Sequence, residues 1–116
     1  MREVIIRGGE NIAPREVEEV LQSHPTVRES AVVGRPDPTL GEQVVAFIVP
    51  QKKWDAELAQ QVREYAAQRL TPHNVPVDFI AVDSLPHNAV GKVERRKLRE
   101  QLRQQVSQGV LPARPT

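Results

Sequence analysis

Residues 27–49 read VRESAVVGRPDPTLGEQVVAFIV, two apolar runs with a polar segment between them. The runs, residues 27–34 and 43–49, are rich in β-branched side chains and predict strands. The intervening residues 35–42 are mostly turn-forming types, including proline and glycine. Because a parallel crossover needs about a dozen residues or more, this short link predicts that the two strands pair antiparallel.

The N-terminal part of the chain predicts a hairpin followed by a helix. Residues 3–6 form a short apolar strand, and Gly8 and Gly9 supply the positive φ that a tight turn requires. Pro14 then suits the first position of a helix. The periodicity of that helix places Val17, Val20 and Leu21 on its apolar side and Glu16, Glu18 and Glu19 on its solvent side.

The remaining segments predict two more helices and one more strand. Asp55 is a suitable N-cap for a helix that ends before Pro72, and a last helix is predicted over residues 94–106. Residues 77–82 are predicted to form a strand and residues 83–92 a polar loop. The expected fold class is therefore α+β, with a small antiparallel or mixed sheet and an N-terminal hairpin, packed with about three helices.

Composition limits the classes of protein to consider. The chain has 116 residues, enough for one domain, which we predict over residues 1–106 with a flexible tail over residues 107–116. Sixteen Lys and Arg oppose fifteen Asp and Glu, so the net charge of +1 does not favour nucleic acid. Without cysteine, disulfides and thiolate chemistry are excluded. The longest apolar run, residues 44–49, is too short for a membrane span, and the cytoplasm is the default location.

Two further classes of site are not indicated. Aromatic residues make up only 3% of the chain, which disfavours a base-stacking surface for single-stranded nucleic acid. His24, His73 and His87 have no ligand-like spacing to one another or to carboxylates. We therefore expect neither a nucleic-acid partner nor a metal site.

Two segments far apart in the chain carry a family resemblance. Residues 5–18 read IIRGGENIAPREVE, and residues 83–99 read DSLPHNAVGKVERRKLR. They resemble the glycine loop with its first helix, and the terminal lysine motif, of the C-terminal domain in acyl-CoA synthetases, which are AMP-binding, adenylate-forming ligases. Residues 24–34 and 36–42 also fit this pattern, so the resemblance extends to about residue 102.

The resemblance implies an acid–thiol ligase that works in two steps. A carboxylate attacks ATP to give an acyl-adenylate and pyrophosphate, and the thiol of coenzyme A then displaces AMP. ATP and Mg²⁺ would be bound mainly by a larger N-terminal domain that lies outside this sequence. The small domain would be inactive alone and would turn about a hinge to serve each step.

The resemblance also implies a role for individual residues. Lys92 would be the catalytic residue of adenylation, and Gly91 would support its loop. The other implied residues are the hinge at Arg2 or Glu3 and the thioester-step loop of Gly8, Gly9 and Glu10.

The chemistry of Lys92 suits this role, since a lysine ammonium is a compact charge on a long stem that can stabilise charge developing on a phosphate. Without the motif, the same residue would be interpreted as a solvated lysine at a helix start. Gly8 and Gly9 likewise permit a hairpin turn whether or not they let a pantetheine arm approach closely. Only the motif context favours the functional interpretation.

The sequence is compatible with more than one acceptor of the acyl group. Cationic residues follow Lys92 in the last helix and either bind the phosphates of coenzyme A or an acidic carrier protein, or form a solvated helix face. They are Arg95, Arg96, Lys97, Arg99 and Arg103. The alternatives to a CoA ligase are an adenylation enzyme that loads a phosphopantetheinyl carrier protein and a freestanding, non-catalytic binding module.

Overall fold

The computed structural model describes residues 4–39 and 41–107 of the chain. Five strands and three α-helices lie in these residues, together with a 3₁₀ helix at Pro72–Asn74. In chain order they are β1 (Ile5–Arg7), β2 (Glu10–Ile12), α1 (Pro14–Gln22), β3 (Val27–Asp37), β4 (Gly41–Pro50), α2 (Ala56–Ala67), β5 (Asp78–Ala81) and α3 (Arg95–Ser107).

The five strands form one mixed sheet around β4. The long strands β3 and β4 pair antiparallel, with Ala31 opposite Phe47, as the sequence predicted. On its other side β4 pairs with β1 at Gly41 and, farther along, with β5 in parallel. β2 pairs antiparallel with β1, and β3 is the edge strand on the far side of β4. The predicted α+β class with an N-terminal hairpin is thus confirmed.

The predicted turn over residues 35–42 is largely strand, which corrects the expectation. Pro36 lies opposite Glu42 and Asp37 opposite Gly41, so only residues 38–40 separate β3 from β4. Proline is tolerated in a strand only where its missing N–H is not needed for the ladder, as at an edge. β3 is such an edge, and its proline therefore does not end it.

The β3–β4 ladder has an apolar core on each face. On one face, Val44, Ala46 and Ile48 pack with residues of α1 and α2, including Val17 and Val62. The other face carries Val45, Phe47 and Val49, which pack with Leu85 and with Leu98 and Leu102 of α3. Alternate residues of a strand point to opposite faces, so the six-residue apolar run of β4 supplies both cores. Helix α3 consequently lies across the sheet from α1 and α2.

The helix starts agree with the sequence prediction. Pro14 is the first residue of α1, and the Asp55 carboxylate accepts a hydrogen bond from the Leu58 N–H at 2.8 Å at the start of α2. Such a side-chain cap satisfies one of the N–H groups that a helix leaves without an intrahelical partner. None of the helices in the described ranges is long and apolar enough to cross a membrane.

One side chain of α1 differs from its prediction. Glu18, expected on the solvent side, is 9% exposed. Its carboxylate accepts the Val32 N–H at 2.8 Å and pairs with Arg95, because α1 lies along the edge of β3. Helical periodicity identifies which residues share a face, and here one position of that face meets an unpaired strand edge.

Several predictions fall on residues outside the described ranges. The proposed hinge residues Arg2 and Glu3 and the tail residues 108–116 lie there. Ser107 is the last residue of α3. The domain boundary at residue 106 and the hinge remain predictions.

Candidate functional site

The glycine loop is a two-residue hairpin turn between β1 and β2. Gly8 has φ of 56° and Gly9 has φ of 85°, and Arg7 pairs with Glu10 across the turn. Positive φ at both central residues is the requirement of the type I′ turn, which glycine meets without strain. A Cβ on Gly9 would have no atom within 4 Å, so the chain leaves open space there. Gly8, Gly9 and Glu10 are all exposed.

A carboxylate from β4 anchors this hairpin to the sheet. Oε1 of Glu42 accepts the Ile6 N–H at 2.9 Å. The Glu42 side chain lies over Gly34 of β3, where a Cβ would stand 2.7 Å from the Glu42 Cδ. Gly34 therefore leaves the room that Glu42 needs to reach β1.

The lysine loop is a tight turn closed by an isolated antiparallel bridge between His87 and Val93. Gly91 has φ of 86°, a backbone angle that residues other than glycine rarely adopt. Its N–H donates to the Asn88 carbonyl at 3.0 Å. The Asn88 N–H donates to the Lys92 carbonyl at 2.8 Å. Gly91 thus has a structural reason to precede Lys92.

Asn88 organises this turn, a role that the sequence analysis missed. Its side-chain oxygen Oδ1 accepts the N–H groups of Val90 and Lys92, each at 3.0 Å. Asparagine side chains commonly mimic a backbone turn by bonding an N–H two residues on. The signal was present in the sequence, in an asparagine that precedes Gly91-Lys92 in a loop.

Lys92 is presented to solvent at the end of this turn. The residue is exposed, and none of the ion pairs within residues 4–39 and 41–107 involves it. Val90, beside it, is 77% exposed. A lysine whose backbone is fixed and whose ammonium is solvated can reach a phosphate on another domain.

The structure keeps the two loops apart. The hairpin inserts Ile5 and Ile12 into the core shared with α1 and α2, whereas the lysine loop leads into α3, whose Leu98 lies in the opposite core. In the described part of the chain no hydrogen bond or ion pair joins the two loops. Gly91 lies with Lys92, and Gly8, Gly9 and Glu10 form a separate site.

The chain also matches a known family. A family model described as the AMP-binding enzyme C-terminal domain matches residues 16–92, a range that ends at the exposed lysine. The chain belongs to this family.

Relatives of this C-terminal domain are CoA ligases. The chain is 42% identical over 97 residues to a sulfoacetate–CoA ligase of Cupriavidus necator, covering 84% of the chain and 19% of that enzyme. It is 43% identical over 100 residues to a long-chain-fatty-acid–CoA ligase of Bacillus subtilis, covering 86% of the chain and 18% of that enzyme. The chain therefore spans about one fifth of the length of these relatives.

A solved structure shows the same fold. It is an o-succinylbenzoate CoA synthetase from Bacillus subtilis in complex with its acyl-adenylate intermediate, with a TM-score of 0.77 and 41% identity. The match covers 83% of the chain and 19% of that protein. Three relatives named for different acids thus have nearly equal identity to this domain.

The cationic run of this AMP-binding enzyme C-terminal domain is not one uniform surface. Arg95 is engaged by Glu18, and Lys97 pairs with Glu94 at 3.2 Å. Arg96 is exposed. Neither alternative given for this run describes Arg95 well, because its guanidinium pairs with a carboxylate of α1.

Proposed function

We propose that this chain is the C-terminal domain of an ATP-dependent carboxylate–CoA ligase, with Lys92 acting in adenylation and the Gly8-Gly9 hairpin in thioester formation. The observation that carries the proposal is the lysine turn, in which Asn88 and Gly91 fix the backbone of an exposed Lys92. Membership of the family and the ligase names of the relatives support it.

Lys92 acts in the first step. A carboxylate oxygen of the acid attacks the α-phosphorus of ATP, the bond to the β-phosphate oxygen breaks, and pyrophosphate leaves. Negative charge is spread over the α-phosphate oxygens and the attacking and departing oxygens during this transfer. The Lys92 ammonium, placed against these oxygens, stabilises the transition state more than the ground state and gives up no proton.

The glycine hairpin acts in the second step. The sulfur of coenzyme A attacks the acyl carbonyl carbon as the thiol proton passes to water. The bond between that carbon and the phosphate oxygen of AMP breaks, and AMP leaves. A turn without β-carbons lets its backbone lie against the thin pantetheine arm, and its N–H groups are available as donors. The open space around Gly9 is compatible with this approach.

The described residues do not provide a magnesium site. No group of three or more His, Cys, Asp or Glu able to hold a metal ion lies in residues 4–39 and 41–107. In the proposed enzyme Mg²⁺ would enter with ATP. The roles proposed for Lys92 and the glycine hairpin do not include holding it.

The test of Lys92 uses the complete protein that carries this chain. Pyrophosphate release would be measured with acetate, octanoate, palmitate, benzoate, 2-succinylbenzoate and sulfoacetate, and thioester formation with the acyl-adenylate of the acid that reacts. Lys92→Ala should slow adenylation by about 10²- to 10³-fold, the usual effect of losing one such contact, and thioester formation much less. The control is Lys53→Ala, which changes another exposed lysine. Equal loss of both half-reactions would refute the role.

The hairpin has its own test. Gly8→Asn creates Asn-Gly, a dipeptide that type I′ turns favour, so the turn should keep its geometry while gaining a side chain. We expect thioester formation to fall at least about tenfold and adenylation to persist, since a side chain would obstruct the approach of pantetheine. Normal thioester formation in this variant would show that the glycines serve the turn alone.

The acceptor is the remaining choice, and we propose coenzyme A. All three relatives described above are named as CoA ligases or synthetases. The experiment offers the preformed acyl-adenylate enzyme either free coenzyme A or a phosphopantetheinylated carrier protein. Acylation of the carrier protein alone would overturn this choice of acceptor and leave the role of Lys92 intact.

A further inference from the structure

The outer edge of β3 is covered by side chains instead of by another strand. The Ser30 N–H donates to Oε1 of Gln22 at 3.1 Å, and the Val32 N–H donates to Oε2 of Glu18 at 2.8 Å. Both acceptors come from α1, and the two strand residues alternate with those whose amides face β4. Glu18 therefore satisfies a backbone group that the sheet leaves unpaired.

The same carboxylate also binds the start of α3. Nε of Arg95 donates to Oε2 of Glu18 at 2.8 Å, and Nη2 donates to Oε1. The side chains are 12% and 23% exposed for Glu18 and Arg95. Two parallel N–H bonds between guanidinium and carboxylate constrain orientation as well as distance.

This ion pair crosses from one face of the sheet to the other. Glu18 belongs to α1, which packs on the first core, and Arg95 is the first residue of α3, which packs on the second. The pair passes around the edge of β3 at Val32 and joins residues 77 positions apart in sequence. It is a tertiary clamp between the two helical layers.

The first turn of α3 needs such a partner. It contains Arg95, Arg96 and Lys97 and no acidic residue, and Glu94 just before it pairs with Lys97. Cations at a helix N-terminus are opposed by the positive end of the helix dipole. The Glu18 carboxylate supplies a negative charge to Arg95 from another helix, so a locally unfavourable sequence becomes consistent with the fold.

The clamp begins immediately after the lysine turn in the chain. Arg95 is three residues after Lys92, and the Glu94 N–H donates to the Pro86 carbonyl at 2.8 Å at the base of the turn. The apolar contacts of Leu98 hold α3 on the sheet. The bidentate pair adds a directional constraint on its first turn, which apolar attraction by itself supplies less sharply.

We propose that Glu18 and Arg95 are positioning residues for adenylation: by orienting the first turn of α3, their ion pair fixes the direction in which Lys92 is presented. This inference rests on the proposed function of Lys92. It assigns to the helix after the glycine loop a role in the half-reaction that the lysine loop serves. The bonds of Glu18 described above run to β3 and to α3, and the glycine hairpin is given no part in adenylation, so thioester formation should not depend on the pair.

The test compares Glu18→Gln and Arg95→Gln with Glu19→Gln in the complete protein. The side-chain amide introduced by Glu18→Gln keeps an oxygen that can accept the Val32 N–H, so the strand edge stays satisfied, and Glu19 is an exposed residue of the same helix. With the acid that reacts in the panel above, adenylation should fall by about tenfold to a hundredfold in the first two variants, as misplacement of a catalytic group does. Thioester formation from supplied acyl-adenylate should stay within about twofold in all three.

Hydrogen exchange followed by mass spectrometry separates positioning from loss of fold. In Glu18→Gln, peptides covering residues 87–95 should exchange faster than in Glu19→Gln, while those covering residues 44–49 of β4 should not change. Faster exchange throughout with equal loss of both half-reactions, or unchanged adenylation in Glu18→Gln, would overturn the proposal. If Lys92→Ala slows adenylation by about 10²- to 10³-fold relative to the wild type, the proposed function stands whatever the effect of Glu18→Gln.

Discussion

Lys92 is held by the backbone of its own loop. Asn88 accepts the Lys92 N–H through its side chain and donates its own N–H to the Lys92 carbonyl. The positive φ at Gly91 closes the turn between them. The loop thereby restricts the backbone of Lys92 while the side chain keeps its reach. In the proposed adenylation step, this restriction would reduce the entropy lost when the ammonium meets a phosphate.

Replacing Asn88 by alanine should loosen this turn. Two backbone N–H groups lose their acceptor, but both face water, so we expect a stability loss of only about 0.5–1.5 kcal/mol. Adenylation should fall up to about tenfold because Lys92 is less well placed. Asn88→Thr is the control, since its hydroxyl can accept the same N–H groups and should restore much of the rate. The check is denaturant unfolding together with pyrophosphate release, and full adenylation in the alanine variant would contradict the expectation.

The β1–β2 hairpin is held in position by residues of β3 and β4. A Cβ on Gly34 would collide with the carboxylate of Glu42, which is the acceptor of the Ile6 N–H. Gly41 has φ of 89°, and a Cβ there would stand 3.2 Å from the Ile6 carbonyl oxygen. Two glycines of the long strands thus leave room for β1.

Gly34→Ala should therefore disturb the hairpin at a distance. The flexible end of Glu42 moves away, the Ile6 N–H loses its acceptor, and we expect a cost of about 1 kcal/mol with faster hydrogen exchange over residues 5–12. Thioester formation should fall more than adenylation. Glu42→Gln is the matched control, because its amide oxygen can still accept the Ile6 N–H. Unchanged exchange over residues 5–12 in Gly34→Ala would refute this coupling.

His24 lies at the junction of α1 and α2. Its Nδ1 accepts the Thr26 N–H at 3.2 Å, and its ring meets Tyr65 of α2 edge-on, with centroids 4.8 Å apart. Burial, and then the positive charges of Arg69 and Lys52, lower the pKa of His24 below its ordinary value of 6.5. The folded domain therefore prefers the neutral imidazole.

Stability should fall in acid because of His24. Between the lowered pKa and 6.5 the unfolded chain binds more protons, so the contribution of His24 is complete above 6.5 and is lost as the pH falls through the folded pKa. The denaturant concentration at half unfolding should be lower at about pH 5.5 than at about pH 7.5. In His24→Gln this difference between the two pH values should be smaller. NMR titration of the His24 ring checks the cause directly. A pKa at or above 6.5 in that titration would contradict it.

In the molecule as a whole, the glycine hairpin and the lysine turn connect to opposite cores of one sheet. The glycine turn joins β1 and β2, whose Ile5 and Ile12 pack in the same core as α1 and α2, and the lysine turn leads into α3 on the opposite face of the sheet. A domain with this arrangement can offer either loop to a neighbouring cleft by turning, without rebuilding its own core. This agrees with the two-step role that we propose.

The chain alone should form no acyl-adenylate. It spans about one fifth of its relatives' length, and in the proposed enzyme ATP and the acid bind mainly to the larger domain. Incubation of the isolated chain with ATP and the acid panel should release no pyrophosphate above a blank, whereas the complete protein should. Turnover by the chain alone would contradict the proposal that ATP and the acid bind mainly to the larger domain.

Local patterns in the sequence account for most elements of the fold. Pro14 and Asp55 identify the starts of α1 and α2, because proline at the first helical position and a capping carboxylate act through bonds only a few residues away. The positive φ of Gly8 and Gly9 and the antiparallel pairing of β3 with β4 follow from turn chemistry and link length. The lysine motif led to Lys92 and Gly91 by resemblance, and their roles in adenylation stay a prediction.

How these elements meet depends on contacts between residues far apart in the chain. Local patterns were enough to predict the order of strands and helices and the two loops, and two motifs were enough to recognise the family. Local patterns did not determine that β3 continues through Pro36, that Glu18 is buried or that Glu18 binds Arg95. Each of these depends on which backbone groups a sheet edge leaves unpaired and on which side chains come within about 3 Å of them. Such contacts are made between residues far apart in the chain, which no local pattern connects.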